Sequence, residues 1–237
     1  MKYLKSLSLA ALAALAVLAV IGASAASASH PKFEPTGTAF PIPFTGHGLH
    51  GVLEGTDTHQ TTCKSSTVSG NITSAITAQN IVVKFHGCTA FFGFVACNTA
   101  GQPSGTVVTT PLDATLVYLE TGTNKKGLLL QPENKEEHFA TLECGGTSIK
   151  VIGTVLAELT EVNEKEYVIH FRKLSNHHPS PALYLNPSTC GHLITTESLH
   201  ATGTGGFTPF ATTPAGLEGT GTLTLTKEVK ITGNGCV

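Results

Sequence analysis

The sequence predicts an all-β fold made of short antiparallel strands and stabilised by disulfide bonds. β-Branched and aromatic runs recur at short intervals, and Gly, Pro, Asn or Ser separates most of them. No helical segment of about 10 or more residues stands between these runs. Six cysteines follow an N-terminal export signal. These observations are typical of an antiparallel β-sandwich or barrel-like domain with about 10 to 13 short strands.

The clearest strands follow one another along the second and third quarters of the chain, with one more near the C-terminus. They are Ile81–Phe85, Thr106–Thr110, Ala114–Leu119, Lys126–Gln131, Phe139–Cys144, Ser148–Leu159, Tyr167–Arg172 and Thr220–Thr226. Large apolar residues alternate with other residues in Glu166–Arg172 and Thr220–Thr226. Because successive side chains of a strand point to opposite faces, these strands can bury one face and expose the other.

Residues 1–28 have the three-part layout of a secretory signal peptide. Lys2 and Lys5 precede an apolar run from Leu7 to Ile21, and small residues follow it. We expect cleavage after Ala25 or Ala28. A membrane span needs about 20 apolar residues, and this run is shorter. The sequence therefore predicts a secreted or cell-envelope protein that does not span a membrane once the signal is removed.

The predicted mature chain has two parts. Residues 29–46 form a proline-rich N-terminal segment, and residues 47–237 form a single all-β domain. Loss of Lys2 and Lys5 with the signal changes the formal net charge from −2 to −4, and Arg172 is the only arginine. A nucleic-acid partner would require a basic surface, so that class is excluded.

The six cysteines, Cys63, Cys88, Cys97, Cys144, Cys190 and Cys236, are disulfide candidates. An even number of cysteines in an exported protein indicates paired thiols. Proximity along the chain favours Cys63 with Cys144, Cys88 with Cys97, and Cys190 with Cys236. Six cysteines allow 15 connectivities, so the other pairings stay open. No C-x₂-C pair occurs, which disfavours a structural zinc site.

Turn and cysteine landmarks resemble a group of exported bacterial all-β proteins of unknown function. The landmarks are Thr61-Thr-Cys63, Ser69-Gly-Asn-Ile-Thr73, Val83-Lys-Phe-His-Gly-Cys88, Cys97, Gly101, Thr110-Pro-Leu112, Leu142-Glu-Cys144 and Gly153-Thr-Val155. The resemblance extends from about Phe40 to Phe171. It implies a secreted, disulfide-bonded β fold and brings no activity with it.

No catalytic motif, metal site or cofactor site is predicted. The chain lacks G-x-S-x-G, H-E-x-x-H and phosphate-binding Gly-rich motifs. Histidines concentrate at His47, His50 and the pair His177-His178, but no H-x-H places two imidazoles on one strand face. A glycosidase needs only two suitably spaced carboxyls. The candidate glutamates are Glu136, Glu137, Glu143, Glu158 and Glu161.

Phe91, Phe92 and Phe94 form the candidate partner-binding tip. They lie close together between Cys88 and Cys97, and exposed rigid aromatics give contact area at low entropic cost. The alternative is that the three rings fold into the core. Sugar binding is weakened by the absence of tryptophan, although Tyr118, Tyr167 and Tyr184 remain as stacking candidates.

The sequence thus favours a non-catalytic extracellular or cell-envelope protein with a binding or structural role. Its partner is an unknown protein, lipid or envelope component. A small secreted hydrolase that uses glutamates, or an apolar-ligand carrier with a large dry cavity, are the alternatives.

Overall fold

The computed structural model describes residues 30–55, 60–120, 123–134, 138–171, 182–185, 193–196, 199–205 and 210–233. These residues form antiparallel strands and no helix, which confirms the predicted all-β class. The strands are β1 (Lys32–Pro35), β2 (Ile42–Gly55), β3 (Gln60–Cys63), β4 (Ser65–Ile72), β5 (Thr77–His86), β6 (Thr89–Ala90), β7 (Val95–Asn98), β8 (Thr106–Val108), β9 (Leu112–Tyr118), β10 (Lys126–Pro132), β11 (Ala140–Cys144), β12 (Thr147–Ile152), β13 (Val155–Asn163), β14 (Glu166–Phe171), β15 (Ala182–Leu185), β16 (Leu193–Thr196), β17 (His200–Thr204), β18 (Phe210–Leu225) and β19 (Val229–Thr232).

The strand pairings close two rings that share β2 and β18. The first ring runs β2-β4-β5-β9-β10-β13-β14-β18 and returns to β2. The second runs β2-β3-β6-β7-β11-β12-β17-β18 and also returns to β2. Each ring uses one half of the two long strands. The shared β2–β18 ladder therefore joins the two rings, and we call this ladder the seam. Each ring with its interior is called a lobe.

Nineteen strands occur in the described residues, against the 10 to 13 expected from sequence. The clearest strands expected from sequence omit β2 and include only the end of β18, because glycine interrupts the apolar pattern of both. Gly51 pairs with Gly219, and Gly48 pairs with Gly221. In addition, the single strand expected over Ser148–Leu159 is two strands, β12 and β13, on either side of Gly153. Gly153 has a positive φ of 102°, which suits the turn between them.

A β-bulge marks the place where β2 passes from one ring to the other. Between the pairs Gly51–Gly219 and Gly48–Gly221, Leu49 and His50 oppose a single residue of β18. Both bulged side chains are exposed. A bulge bends its strand, and bulges recur beside functional sites.

The described residues contain no helix long and apolar enough to cross a membrane.

Apolar side chains from both rings form one continuous core. Phe44, Leu116, Leu128 and Leu223 represent the first ring, and Leu142 represents the second; all are buried. A separate pair, Val117 and Leu129, is buried against other strands of the first ring. Burial on this scale supplies the main favourable contribution to folding.

The ribbon of β1 and β19 packs against the first ring. Phe33 of β1 donates its amide to the Ala75 carbonyl at 2.6 Å, and Val229 of β19 donates its amide to the Glu164 carbonyl at 2.7 Å. The buried Tyr167 hydroxyl of β14 donates to the Val229 carbonyl. This hydrogen bond ties the ribbon to the ring.

Tyr167→Phe should destabilise the fold by about 1 to 2 kcal/mol, because it removes a buried hydrogen bond. Burial, with Glu161 and Glu164 adding to it, raises the pKa of the Tyr167 hydroxyl in the folded state. Its contribution to stability is therefore full below the tyrosine pKa of the unfolded chain, about 10, and is lost as the pH rises above that value. Urea denaturation from pH 8 to 11 should show that the free energy of unfolding falls at alkaline pH. This fall should be smaller in the Tyr167→Phe variant than in wild type. Equal alkaline losses in both proteins would contradict this assignment.

Four cysteines occupy one row across neighbouring strands of the second ring. Disulfides join Cys63 to Cys88 and Cys97 to Cys144. Cys97 and Cys144 are register partners, while the pairing of Thr62 with Thr89 places Cys63 opposite Cys88. Cys88 and Cys97 also face each other across the β6–β7 hairpin, where the Cys97 amide donates to the Cys88 carbonyl at 3.0 Å. All four are buried.

The predicted pairs Cys63–Cys144 and Cys88–Cys97 are therefore wrong. Proximity along the chain cannot decide between neighbours in such a row, because each central cysteine has a cysteine on both sides. The bonds run outward from the hairpin to β3 and β11 instead of across it. Cys190, Cys236 and the predicted signal-cleavage sites lie outside the described residues.

Candidate functional site

The candidate site is the tip of the β6–β7 hairpin, which we call the Phe hairpin (residues 88–97). Thr89 pairs with Ala96 and Ala90 pairs with Val95, which leaves residues 91–94 as the turn. The Gly93 amide donates to the Ala90 carbonyl at 3.1 Å, and the Phe94 amide donates to the Phe91 carbonyl at 3.2 Å. The turn is therefore closed by its own hydrogen bonds.

The three phenylalanines divide into one anchor and two exposed rings. Phe91 is partly buried and packs against the core. Phe92 and Phe94 have exposed fractions of 101% and 88%. Large apolar side chains are usually buried, so two neighbouring rings in water are unusual. The structure thus combines the two interpretations left open by sequence: Phe91 joins the core, and Phe92 and Phe94 project.

The backbone of the turn is strained at three successive residues. Phe91, Phe92 and Gly93 have φ values of 51°, 59° and 89°. Bulky residues rarely adopt positive φ, and each such residue costs about 1 to 3 kcal/mol. Strain of this kind persists only where the surrounding structure imposes it, and it concentrates at functional sites.

The disulfides fix the base of the Phe hairpin on both sides. Cys88 is bonded to β3 and Cys97 to β11, the two strands that flank the hairpin. The Cβ that alanine would add at Gly145, in the β11–β12 turn, would lie 3.0 Å from Val95 of the hairpin, so this turn sits beside the tip. A hairpin held in this way presents its rings with little entropy left to lose on binding.

The edge of the second ring that carries the tip has no basic side chain among its described residues. By register, the ends of β2 and β3, the β11–β12 turn and the ends of β17 and β18 lie at this edge. The described residues at this edge include neither lysine nor arginine; they are Gly55, Gln60, 90–95, 144–147, Thr204, Gly205 and Phe210. Apart from the bonded Cys144, none of these described residues has an ionisable side chain. We call this region the hairpin edge.

Each ring encloses a small apolar cavity among the described residues. A cavity of about 70 Å³ lies in the first ring, lined mainly by apolar side chains such as Phe44, Val83 and Leu128. A cavity of about 40 Å³ lies in the second, beside Leu142 and Leu199. An apolar cavity of about 150 Å³ holds benzene, and pockets for larger ligands measure about 300 to 1,000 Å³. Neither of these two cavities approaches the size of a carrier pocket.

An open cleft of about 580 Å³ lies beside the bulge, at the seam between the rings. Glu158, His170 and Thr220 stand side by side on β13, β14 and β18. The His170 Nδ1 lies 3.1 Å from the Thr220 Oγ1. His50, Thr160 and Glu218 complete the polar side chains that line it. The cleft thus brings two carboxylates, two imidazoles and hydroxyls to one outer face.

The structure separates most of the other polar candidates. Glu158 lies in the cleft, whereas Glu143 accepts a hydrogen bond of 2.8 Å from the Ser148 hydroxyl on another strand pair. Tyr118 and Tyr167 are buried, so these two candidates are not available to stack on sugars. The residues Glu136, Glu137, His177 and His178 and the side chain of Tyr184 lie outside the described part of the chain. Within that part, no group of three or more His, Cys, Asp or Glu side chains could hold a metal ion.

Sequence reasoning missed the grouping of His170, Thr220 and Glu218 with Glu158. Nothing in the local pattern relates β13 to β18, which are far apart in the chain and meet only through β14. The glycine-rich stretch around Leu49 and His50 was the one available signal, since glycine within a strand often marks a bulge.

Comparison with known proteins identifies no relative: no family model, no curated protein and no solved structure matches the chain.

Proposed function

We propose that this chain is an exported, non-catalytic binding protein of the cell envelope or extracellular space, and that the Phe hairpin is its contact site. The observation that carries the proposal is the full exposure of Phe92 and Phe94 on a turn whose base is bonded by two disulfides. The disulfides and the signal-like N-terminus support export, because thiols stay oxidised outside the cytoplasm.

Three features of the tip support binding over a purely structural role. The side chains of Phe92 and Phe94 lie outside the core, so packing of the core does not account for phenylalanine at these two positions. The strained turn lowers stability, and such a cost is typical of functional sites. Rigid aromatic side chains are also the residues that dominate binding energy at interfaces.

The hydrolase alternative rests on the outer cleft, and we rank it second. Glu158 and Glu218 share the cleft, which meets the need for two carboxyls on one surface. However, Glu218 is exposed and Glu158 is only partly buried, and Glu158 already has an interaction partner. A glycosidase acid usually sits in an apolar pocket, and the open cleft gives neither carboxyl such surroundings.

Replacing the exposed rings should abolish partner capture and leave the fold intact. The variant combines Phe92→Asn, since asparagine tolerates the left-handed backbone at this position, with Phe94→Ser. The mature protein is used as bait for envelope and extracellular fractions, and retained material is compared between wild type and variant. The melting temperature should stay within about 2 °C of wild type, because no buried contact is removed.

Two control variants make this result specific. Leu49→Ser removes an exposed apolar side chain at the seam, so capture should be unchanged. Phe91→Ala removes the ring that packs against the core and should lower the melting temperature. Unchanged capture by the Phe92/Phe94 variant would contradict the proposal. So would turnover of a chromogenic glycoside that Glu158→Gln abolishes.

A further inference from the structure

We infer that the partner of the Phe hairpin is a lipid surface of low net charge, into which Phe92 and Phe94 insert. This inference rests on the proposed function, because it names the partner of the same tip. Three properties of the described residues lead to it: the shape of the tip, its contact area and the charge around it.

The tip is narrow. Phe92 and Phe94 are exposed on a four-residue turn that closes a two-stranded hairpin. A protein partner would need a preformed pocket for each ring. A bilayer instead accommodates apolar side chains at the boundary between headgroups and acyl chains without a shaped pocket.

The contact area is too small for a stable protein interface by itself. Each phenylalanine buries about 150 to 250 Å², so the two rings give roughly 300 to 500 Å². Stable protein interfaces bury about 800 Å² on each partner. Reversible membrane attachment needs much less area, since it depends on a few inserted apolar groups.

The charge of the hairpin edge selects among lipids. Recognition of anionic headgroups uses clusters of about four to eight lysines or arginines, and the described residues of this edge include none. The net charge of −4 expected for the mature chain would disfavour an anionic surface. A zwitterionic or uncharged lipid surface is therefore the matching partner, and binding to it should depend little on salt.

The chain contains no tryptophan, which permits a site-specific test. Phe92→Trp places a single fluorophore at the tip, and Leu49→Trp places one at the exposed seam as a matched control. With phosphatidylcholine vesicles, the emission of the Phe92→Trp protein should shift to the blue and be quenched by brominated acyl chains. The emission of the Leu49→Trp protein should not change.

Vesicle co-sedimentation measures how much the two rings strengthen binding to the membrane. Each inserted ring should strengthen binding about tenfold or more, so the Phe92→Asn/Phe94→Ser variant should bind phosphatidylcholine vesicles at least about 100-fold more weakly. Binding should persist in 0.5 M NaCl. Binding only to phosphatidylglycerol vesicles, or equal binding by wild type and the variant, would overturn the inference.

The outcomes separate the two proposals. Tip-dependent capture of a protein from envelope fractions, with no binding to vesicles, refutes the lipid partner and leaves the proposed function standing. Absence of both protein capture and vesicle binding refutes the proposed function and the lipid partner. Tip-dependent vesicle binding with a fluorescence shift confined to position 92 supports both.

Discussion

The double variant Cys88→Ala/Cys97→Ala should lose most of the stability of the fold. These two cysteines belong to different disulfides, so their removal breaks both bonds at once. On the chain-entropy model, bonds with sequence separations of 25 and 47 contribute about 3.5 and about 4 kcal/mol. Since folded domains are stable by only about 5 to 15 kcal/mol, we expect a fall of roughly 15 to 30 °C in melting temperature.

Two other double variants provide the matched comparison. Cys63→Ala/Cys88→Ala and Cys97→Ala/Cys144→Ala each remove one bond and should each cost about half as much. The two closed segments do not overlap in sequence, so their effects should add approximately. If Cys88 and Cys97 were bonded to each other, their joint replacement would instead be among the mildest of the three. Scanning calorimetry therefore tests which cysteines are paired and how much each disulfide stabilises the fold.

Gly46→Ala should destabilise the seam by about 3 kcal/mol. An alanine Cβ at this position would lie 2.4 Å from the Thr222 carbonyl oxygen and 2.8 Å from the Val68 Cγ1. The carbonyl belongs to the β18 backbone, which pairs with β2 on one side and β14 on the other, so it cannot move without disturbing two ladders of the first ring. Forcing extra volume into a packed core typically costs about 1 to 3 kcal/mol, and a backbone clash places this variant at the upper end.

Gly51→Ala is the control, because it adds the same methyl group to the same strand. Its nearest neighbour, the Glu218 carbonyl oxygen, would lie at an ordinary contact distance of 3.7 Å. Replacing glycine without strain restricts the unfolded chain, so the change should stay within about 1 kcal/mol. Urea denaturation measures both variants. A similar loss at the two positions would show that the close approach at Gly46 does not limit the packing of the seam.

The fold class and several strands are readable from sequence because their signal is local. Alternating apolar residues predict β14 and the last part of β18, and β-branched content predicts β5 and β10. The length of β2 and β18 is not readable in this way. Their glycines lack the side chains that create an alternating pattern, and their partners lie at the other end of the chain.

The candidate site shows the same division between local and long-range information. The cluster Phe91, Phe92 and Phe94 is visible in the sequence, but the side on which each ring falls depends on the backbone of the turn. The disulfide pairing depends on the register among four strands, so proximity in sequence gave the wrong pairs. The outer cleft depends on three strands that meet only in the closed ring.

The shared seam also constrains how this protein can be made. Residues of β2 and β18 that pair in the seam are at least 160 positions apart. Neither lobe can close until the C-terminal quarter of the polypeptide has left the ribosome, since both lobes use the same late strand. Long-range pairing of this kind slows folding. A nascent chain that stays open for so long is well suited to being threaded through a translocation channel before it folds, and neither lobe should be expressible without the other.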